Sequence, residues 1–397
     1  MPNQPMAEPP RSHHVAMLVR NPYTHDSRVE KEARTLIEAG HRVSVVADAA
    51  HGLPARETRD GSQIHRVPRR GPPVPGLRFV VHEWRLARRL RGLRPTVLHA
   101  HDTNAPVPVA LAAWRLGIPY VYDAHDLWLG RPRRGRGRPY FALSQFYHGL
   151  VERLLVPRAA ATLTVSPPIV GHLRRRYRLP VVHFVPNYPE VGPPVERRDL
   201  RNLPGGEGID PARPIVLYLG GLMGGRGLEQ LVDALALMPE VQLVLLGSGA
   251  EAERLLWRAS AGGASVVALS PVAPELVESY AASAAVGVSP IVPSCLNYRY
   301  SLPNKLFQYM AAGIPVVASD FRQVRDVVGG SGCGVVVDTT RPEAIARGIR
   351  RVLADPAHAA AMGAHGRAAV VDRYNWEASA KELRSVYAEI RDDPEVG

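Results

Sequence analysis

Short apolar runs alternate with amphipathic segments along almost the whole chain, and the series runs twice. In the first half the runs are "VAMLV" (15–19), "VSVVA" (43–47), "TVLHA" (96–100), "YVYDA" (120–124) and "TLTVS" (162–166). Continuous apolar runs of this length suit strands covered on both faces. Between the first two, Ser27 and Glu30 form a capping-box signature, Val29, Ala33, Leu36 and Ile37 share one helical face, and Gly40 closes it. Strands alternating with helices require a parallel sheet with helices on both sides. Proline, glycine and charge take over in "NYPEVGPPVERRDLRNLPGGEGIDPARP" (187–214). The pattern then restarts with "IVLYL" (215–219), a helix over about 228–238, "VQLVLL" (241–246), "SVVAL" (265–269), "VGVSPI" (286–291), "VVAS" (316–319) and "GVVVD" (334–338), and two helical segments finish the chain.

This pattern predicts two similar α/β domains in tandem, over 14–190 and 214–375. Residues 1–13 are expected to be a disordered lead, 191–213 a linker, and 376–397 a C-terminal helix that packs back toward the first domain. Ligands of such sheets lie at the carboxyl ends of the strands, so two facing sheets predict a cleft between the domains.

Composition narrows the function classes. The 397 residues are 46% hydrophobic, which suits a globular chain. No run approaches the roughly 18 apolar residues of a membrane span. "MPNQPMAEPPRSHH" lacks the apolar stretch of a signal peptide. Cys295 and Cys333 are too few for a disulfide scaffold or a zinc site, so a reducing cytoplasm is the expected compartment. Residues 1–190 hold 29 basic and 14 acidic side chains and residues 191–397 hold 20 and 23, so the first half carries all of the net charge of +12. Such a field favours phosphates, nucleic acid or an anionic membrane. The nucleic-acid reading lacks aromatic-interleaved basic motifs or any binding module, and it is set aside.

Three strand-end loops are suited to phosphate. "LYLGGLMGGRGLEQLVDAL" (217–235) is strand, glycine-rich loop and helix. Gly220, Gly221, Gly224, Gly225 and Gly227 let backbone amides approach an anion, and Arg226 can reach the same oxygens. A magnesium-dependent P-loop is excluded, because Arg226 and Gly227 stand where lysine and a hydroxyl are needed. "LLGSGAE" (245–251) offers Gly247 and Gly249 but lacks the third glycine of a dinucleotide fingerprint. "NYRYSLPNKLFQYMAAG" (297–313) places Pro303 in the first turn of a helix and puts Lys305, one of three lysines in the chain, three residues from Gln308. A lysine and an amide on one face at a helix start can hold a diphosphate and an adjacent polar sugar. "HAHD" (99–102) has metal-like residues, but the alternation of a strand is expected to disperse them, so no metal is assigned.

Here the chain resembles a known family. "LGGLMGGRGLEQLVDAL", "LLGSG" and "YSLPNKLFQYMAAGIPVVASD", in that order, are similar to the C-terminal half of the family 4 retaining glycosyltransferases. "DSRVEKEARTLIEAGHRVSVV" (26–46), "VLHAHDTNAPVPVALAAWRLGIPYVYDAHDLW" (97–128) and "VPNYP" (185–189) resemble that family's acceptor domain. The resemblance implies the GT-B fold, two Rossmann-like α/β domains with parallel sheets facing across a cleft. It implies that the C-terminal domain binds a nucleoside-diphosphate sugar, with no cofactor. Arg226 matches a basic residue on the diphosphate, and Gly221 stands where the family often has arginine, an absence that Lys305 can offset. His125 matches a histidine near the transferred sugar, so His125, Arg226 and Lys305 are the catalytic candidates. The family's usual glutamate pair is replaced by Tyr300 and Gln308. Gln308 is expected on the ribose, with Asn297, Tyr300, Ser301, Leu302, Pro303 and Asn304 completing the donor-binding segment.

The expected reaction is sugar transfer to an acceptor (a small molecule, a glycan or a lipid-linked intermediate) with retention. Tyr23, His25 and Asp26, in the loop after the first strand, and Asp102 are the acceptor-binding candidates, Asp26 being equally suited to cap a helix. The lost glutamates leave an alternative, a non-catalytic nucleotide-sugar-binding subunit of a partner transferase. "GRPRRGRGRP" (130–139), with five arginines, is expected at the cleft mouth as a loop that attracts an anionic acceptor or an anionic membrane, with "WRLARRLRGLR" (84–94) adding to that surface. A peripheral position at the inner face of the membrane follows from that expectation.

Overall fold

The computed structural model describes residues 12–72, 74–131, 138–194 and 196–390. The chain forms two compact units. Of the described residues, the first comprises those of 12–129, 138–186 and 379–390, and the second those of 130–131 and 187–378.

In the first unit the order is β1 (His14–Leu18), α1 (Ser27–Glu38), β2 (Arg42–Asp48), β3 (Arg56–Arg59), β4 (Ser62–Val67), α2 (Pro75–Gly92), β5 (Val97–His101), α3 (Pro106–Leu116), β6 (Tyr120–Ala124), α4 (Arg138–Leu155), β7 (Ala161–Thr164), α5 (Pro167–Tyr177) and β8 (His183–Phe184). Its eight-stranded sheet runs β3-β4-β2-β1-β5-β6-β7-β8. Every pair is parallel except β3 with β4. That hairpin was missed in the apolar series, although its turn is written as Asp60-Gly61, both at positive φ (48° and 78°). This is the backbone a two-residue hairpin of the right twist needs. The cap of α1 is Asp26 and not Ser27: the Asp26 side chain accepts from the Val29 amide.

In the second unit the order is β9 (Ile215–Leu219), α6 (Leu228–Ala236), β10 (Gln242–Leu246), α7 (Ala252–Gly262), β11 (Val266–Leu269), α8 (Val277–Ala281), β12 (Val286–Ser289), α9 (Leu296–Tyr300), α10 (Asn304–Ala311), β13 (Val316–Ser319), α11 (Arg322–Ser331), β14 (Gly334–Val337), α12 (Pro342–Leu353), α13 (Pro356–Asp372) and α14 (Trp376–Glu389). The sheet is β11-β10-β9-β12-β13-β14, all parallel. Strand order reverses direction between β9 and β12, where a doubly wound sheet opens its crevice. Three helices finish the chain where two were expected, because Asp355-Pro356 stops α12 and caps α13 through the Asp355 carboxylate. The stretch read as a linker is folded onto this unit. Leu200 and Ile209 are buried, and the Gln242 side chain bridges the Asp210 amide and the Gly208 carbonyl at 2.8 and 3.0 Å. From Ser379 onward α14 belongs to the first unit, where the Ser379 hydroxyl donates to the Pro186 carbonyl and Glu382 lies 2.8 Å from His183 Nδ1.

Candidate functional site

The second unit gathers its cations at the carboxyl ends of β9 and β12. The loop after β9 is shaped by contacts that exclude a side chain. Gly220, Gly225 and Gly227 have φ of 104°, 79° and 73°. A Cβ on Gly227 would lie 1.6 Å from the Pro290 carbonyl oxygen, and one on Gly225 2.6 Å from the Tyr298 ring. Gly247 closes on the same loop, since its Cβ would stand 2.1 Å from the Gly220 oxygen. Gly221 meets only the flexible end of Met223, so nothing in the backbone demands glycine there.

Between these glycines Arg226 lies over the Tyr298 ring, its Cζ 5.2 Å from the centroid. The Lys305 ammonium, from the first turn of α10, sits 3.3 Å above the Tyr218 ring centroid. Burial, then the charge of Arg226, hold Lys305 well below its ordinary pKa. Neither is paired with a carboxylate among the described residues. Two basic side chains without a carboxylate partner above a glycine loop are the chemistry an anion would need. The aromatic platforms, Tyr218 and Tyr298, were not singled out from the sequence. The cation–π geometry that would have flagged them depends on residues 80 or more positions apart in the case of Tyr218 and Lys305.

Tyr309 fixes α10 against the sheet. Its hydroxyl accepts from the Leu219 amide at 2.9 Å and lies 3.1 and 3.2 Å from the Leu217 and Val288 carbonyls. It thereby fills the gap where β9 and β12 part. Gly287 makes room for the ring, because a Cβ there would stand 2.3 Å from it. Replacing Tyr309 by phenylalanine leaves the buried Leu219 amide without a partner, and a stability loss of about 1–3 kcal/mol is expected in urea unfolding. A midpoint equal to wild type would show that the hydroxyl is not needed there.

The segment expected from the sequence to bind the donor is distributed as follows. Pro303 caps α10 and Asn304, exposed, begins it, one residue later than the sequence reading had the helix start. Gln308 follows one turn along, half-buried, as are Leu302 and Tyr300. Asn297 is buried. Ser301 uses its hydroxyl locally, donating to the Tyr298 carbonyl at 2.8 Å, and Gln323 pins the segment by donating to the Arg299 and Ser301 carbonyls, both at 2.8 Å.

The first unit carries a buried ionic network at the carboxyl ends of β5 and β6. Arg28 of α1 donates to Asp123 through Nε and Nη2, both at 2.8 Å, and lies 3.0 Å from Glu32. His125 Nε2 is 2.9 Å from Asp123 Oδ2 and 3.1 Å from His101 Nδ1, and its Nδ1 is 3.8 Å from Asp102. His99 reaches Tyr387 of α14 at 2.9 Å. Burial opposes the charge on His125, but Asp102 and Asp123 outweigh it and raise its pKa to about 9, which favours the imidazolium. Burial also opposes ionisation of Asp123, yet Arg28 and His125 hold its carboxyl well below the usual range. Burial pushes Glu32 up to about 8.

This network corrects the reading of "HAHD". His99 and His101 are two residues apart, which puts them on the same face of β5, and their rings stack at 4.2 Å. With Glu32 and Asp123 they place four metal-ligand-type atoms within 4.8 Å of one another. Arg28 already occupies both oxygens of Asp123, so a cation could take that carboxylate only by displacing the guanidinium. The acceptor-binding candidates separate. His25 is exposed and Asp102 half-buried, at a φ of 62°. Tyr23 is buried beneath Arg59 and so belongs to the packing. Asp26 is committed to its helix cap and to Asn21. The arginine-rich segment 130–139 falls largely outside the described residues.

Residues 25–188 match the model of a glycosyl transferase 4-like domain, and residues 213–355 match glycosyl transferases group 1. The chain is 29% identical over 325 residues to an alpha-maltose-1-phosphate synthase of Mycolicibacterium smegmatis, covering 74% of this chain and 79% of that one. It is 28% identical to a GDP-mannose-dependent alpha-mannosyltransferase of the same organism, over 76% of this chain and 77% of the other. Among solved structures it is similar to sucrose-phosphate synthase from Thermosynechococcus elongatus (TM-score 0.74, 21% identity, 95% and 98% of the two chains). It is also similar to Anabaena HepE in complex with UDP-glucose (TM-score 0.71, 15% identity, 95% and 100%).

Proposed function

Since the chain belongs to the family 4, group 1 glycosyltransferases and has their GT-B architecture of two Rossmann-like units, we propose that it transfers a sugar from a nucleoside diphosphate to an acceptor hydroxyl with retention at the anomeric carbon. The observation that carries this reading is the pair Arg226 and Lys305, two cations without carboxylate partners above the glycine loop of β9. Departure of the diphosphate leaves negative charge on its oxygens while positive charge builds on the sugar. Cations and amides already in place stabilise that charge without reorganising. The names of relatives agree in kind: one is GDP-mannose-dependent and one was solved with UDP-glucose. In the first unit the His125 imidazolium, bracketed by Asp102 and Asp123, offers a fixed hydrogen-bond donor to a polar substrate group. The excess of basic side chains in the first half supports work at the inner face of a membrane, as a peripheral cytoplasmic protein. Among the described residues no helix is long and apolar enough to cross a membrane.

Tyr300 and Gln308 in place of the glutamate pair favour a second reading, a nucleotide-sugar-binding subunit without turnover of its own. Purified protein given a panel of nucleotide sugars and acceptors distinguishes the two. Release of free nucleoside diphosphate supports the transferase, and donor-induced thermal stabilisation without release supports the subunit.

Gln308 tests the donor's orientation. A carboxamide accepts from one ribose hydroxyl through its oxygen and donates to the other through its NH₂. Gln308→Glu is expected to change donor affinity by less than about tenfold, or 1.4 kcal/mol, and Gln308→Leu to cost more than Gln308→Glu. If Gln308→Leu binds as wild type does, or a 2′-deoxy donor is not disfavoured, Gln308 does not face the ribose.

A further inference from the structure

Helix α4 is inverted relative to an ordinary surface helix. Its inward face carries His148, Val151 and Glu152, all buried. Its outward face carries Leu143, Phe146, Leu150 and Leu154, a stripe at helical spacing, with Phe146 70% and Leu143 67% exposed. The neighbouring helices repeat the feature. α3 packs beside both α2 and α4, and Phe79 of α2 meets Tyr147 of α4 edge-on at 5.9 Å. α2 turns Leu77, Val80 and Trp84 outward, and α3 turns out Trp114, 73% exposed.

The charge on this layer has one sign. The three helices contain eight arginines and two acids, Glu83 and Glu152, and both acids are buried. The stripe of α2 passes from Leu77, Val80 and Trp84 to Arg88, whose guanidinium lies 5.5 Å from the Trp84 ring; Arg115 lies 5.0 Å from that of Trp114. Isolated exposed apolar side chains are ordinary, but so many on three neighbouring helices are not. Aromatic and leucine side chains among arginines, without a carboxylate, suit the boundary between acyl chains and anionic headgroups. A protein partner of acidic surface would satisfy the arginines, yet not the leucine and phenylalanine stripe that runs the length of α4.

We propose that the outward layer of α2, α3 and α4 is a docking surface for an anionic lipid bilayer. α3 and α4 both start on the side of the sheet where β5 and β6 end in Asp102 and His125, and Trp128 packs on His148 of α4 at 4.7 Å between ring centroids. The surface therefore brings the polar end of the first unit to the headgroup level, where an acceptor carried on a lipid would be presented. That consequence rests on the transferase reading; the docking itself does not.

The test is sedimentation of the full chain with vesicles of phosphatidylcholine alone and of phosphatidylcholine with phosphatidylglycerol. Wild type is expected to sediment with the anionic vesicles and to stay in the supernatant with the neutral ones. Leu143→Glu with Phe146→Glu places two carboxylates at exposed positions and is expected to lower partitioning at least tenfold with an unchanged melting temperature. Arg88→Ser with Arg153→Ser is expected to lower it by a smaller factor and to weaken its salt dependence. Equal partitioning of wild type and the double glutamate variant would overturn the proposal. So would a wild type that ignores vesicles but is dimeric by light scattering and becomes monomeric in that variant, which would assign the layer to a second copy of the chain. Affinity of the same variants for UDP and GDP, expected to match wild type, reads the donor site separately. A wild type that binds neither UDP nor GDP, whatever the vesicle result, would count against the transferase reading.

Discussion

Replacing Arg28 by methionine is expected to destabilise the protein by about 3–5 kcal/mol, the range for removing one member of a buried ion pair. Arg28 is the only cation of fixed charge that contacts Asp123 among the described residues, and it contacts Glu32 as well. Methionine fills similar volume but leaves Asp123 in the interior with only His125 and His101 beside it. Adding Asp123→Asn to Arg28→Met removes the stranded charge and is expected to restore part of the loss. Urea unfolding of both variants is the measurement, and a single variant as stable as wild type would mean that the guanidinium is not what balances the carboxylates.

The same network sets a pH dependence of known sign. Asp123 is depressed, so it contributes stability above its unfolded pKa, near 3.9, and that contribution is lost as pH falls through the depressed value. Glu32, held at about 8, binds a proton in the folded state that the unfolded chain releases near 4.3, so it lowers stability as pH rises across that interval. His125, held at about 9, contributes stability that is full below about 6.5 and is lost as pH rises through 9. Glu32 and His125 therefore both lower stability as pH rises from 6 to 9, and the stability of Glu32→Gln relative to wild type is expected to increase over that range. A difference between the two that does not change with pH would contradict the assignment of Glu32.

Replacing Lys305 by methionine is expected to weaken binding of UDP and GDP by about 10- to 150-fold, with little change in melting temperature. A charged hydrogen bond is worth about 1.5–3 kcal/mol, and 1.4 kcal/mol is about tenfold. Methionine keeps the stem over Tyr218 and removes only the ammonium, which no carboxylate holds. Arg226→Gln should show a loss of the same order. Because burial and Arg226 depress the ammonium in the free protein, a bound diphosphate favours its protonated form. Binding is expected to take up protons where free Lys305 is partly neutral, and affinity to fall as pH rises through that region. Calorimetry in buffers of different ionisation enthalpy reads the uptake, which Lys305→Met should abolish. Equal losses for the nucleoside without phosphate would remove Lys305 from the diphosphate.

The two-unit α/β architecture was legible because its signals are local. An apolar run of five residues, a capping residue or a glycine at a strand end acts within one turn or one strand, and the series of such signals requires a parallel sheet wherever it is laid down. The glycine loop and Lys305 were legible for the same reason. The 56–67 hairpin was equally local in its Asp60-Gly61 turn, yet it was hidden by strands that carry arginine and glutamate in place of an apolar run. What tertiary structure alone decided depends on which distant residues meet. Arg28 and Asp123 are 95 positions apart and His99 and Tyr387 are 288 apart. Nothing in either neighbourhood names its partner, because an ion pair is selected by the folding of the sheet between them. The apolar stripe of α4, Leu143 to Leu154, would by its spacing be taken for the buried face, and only the packing of the sheet, which takes His148, Val151 and Glu152 inward, leaves it outside.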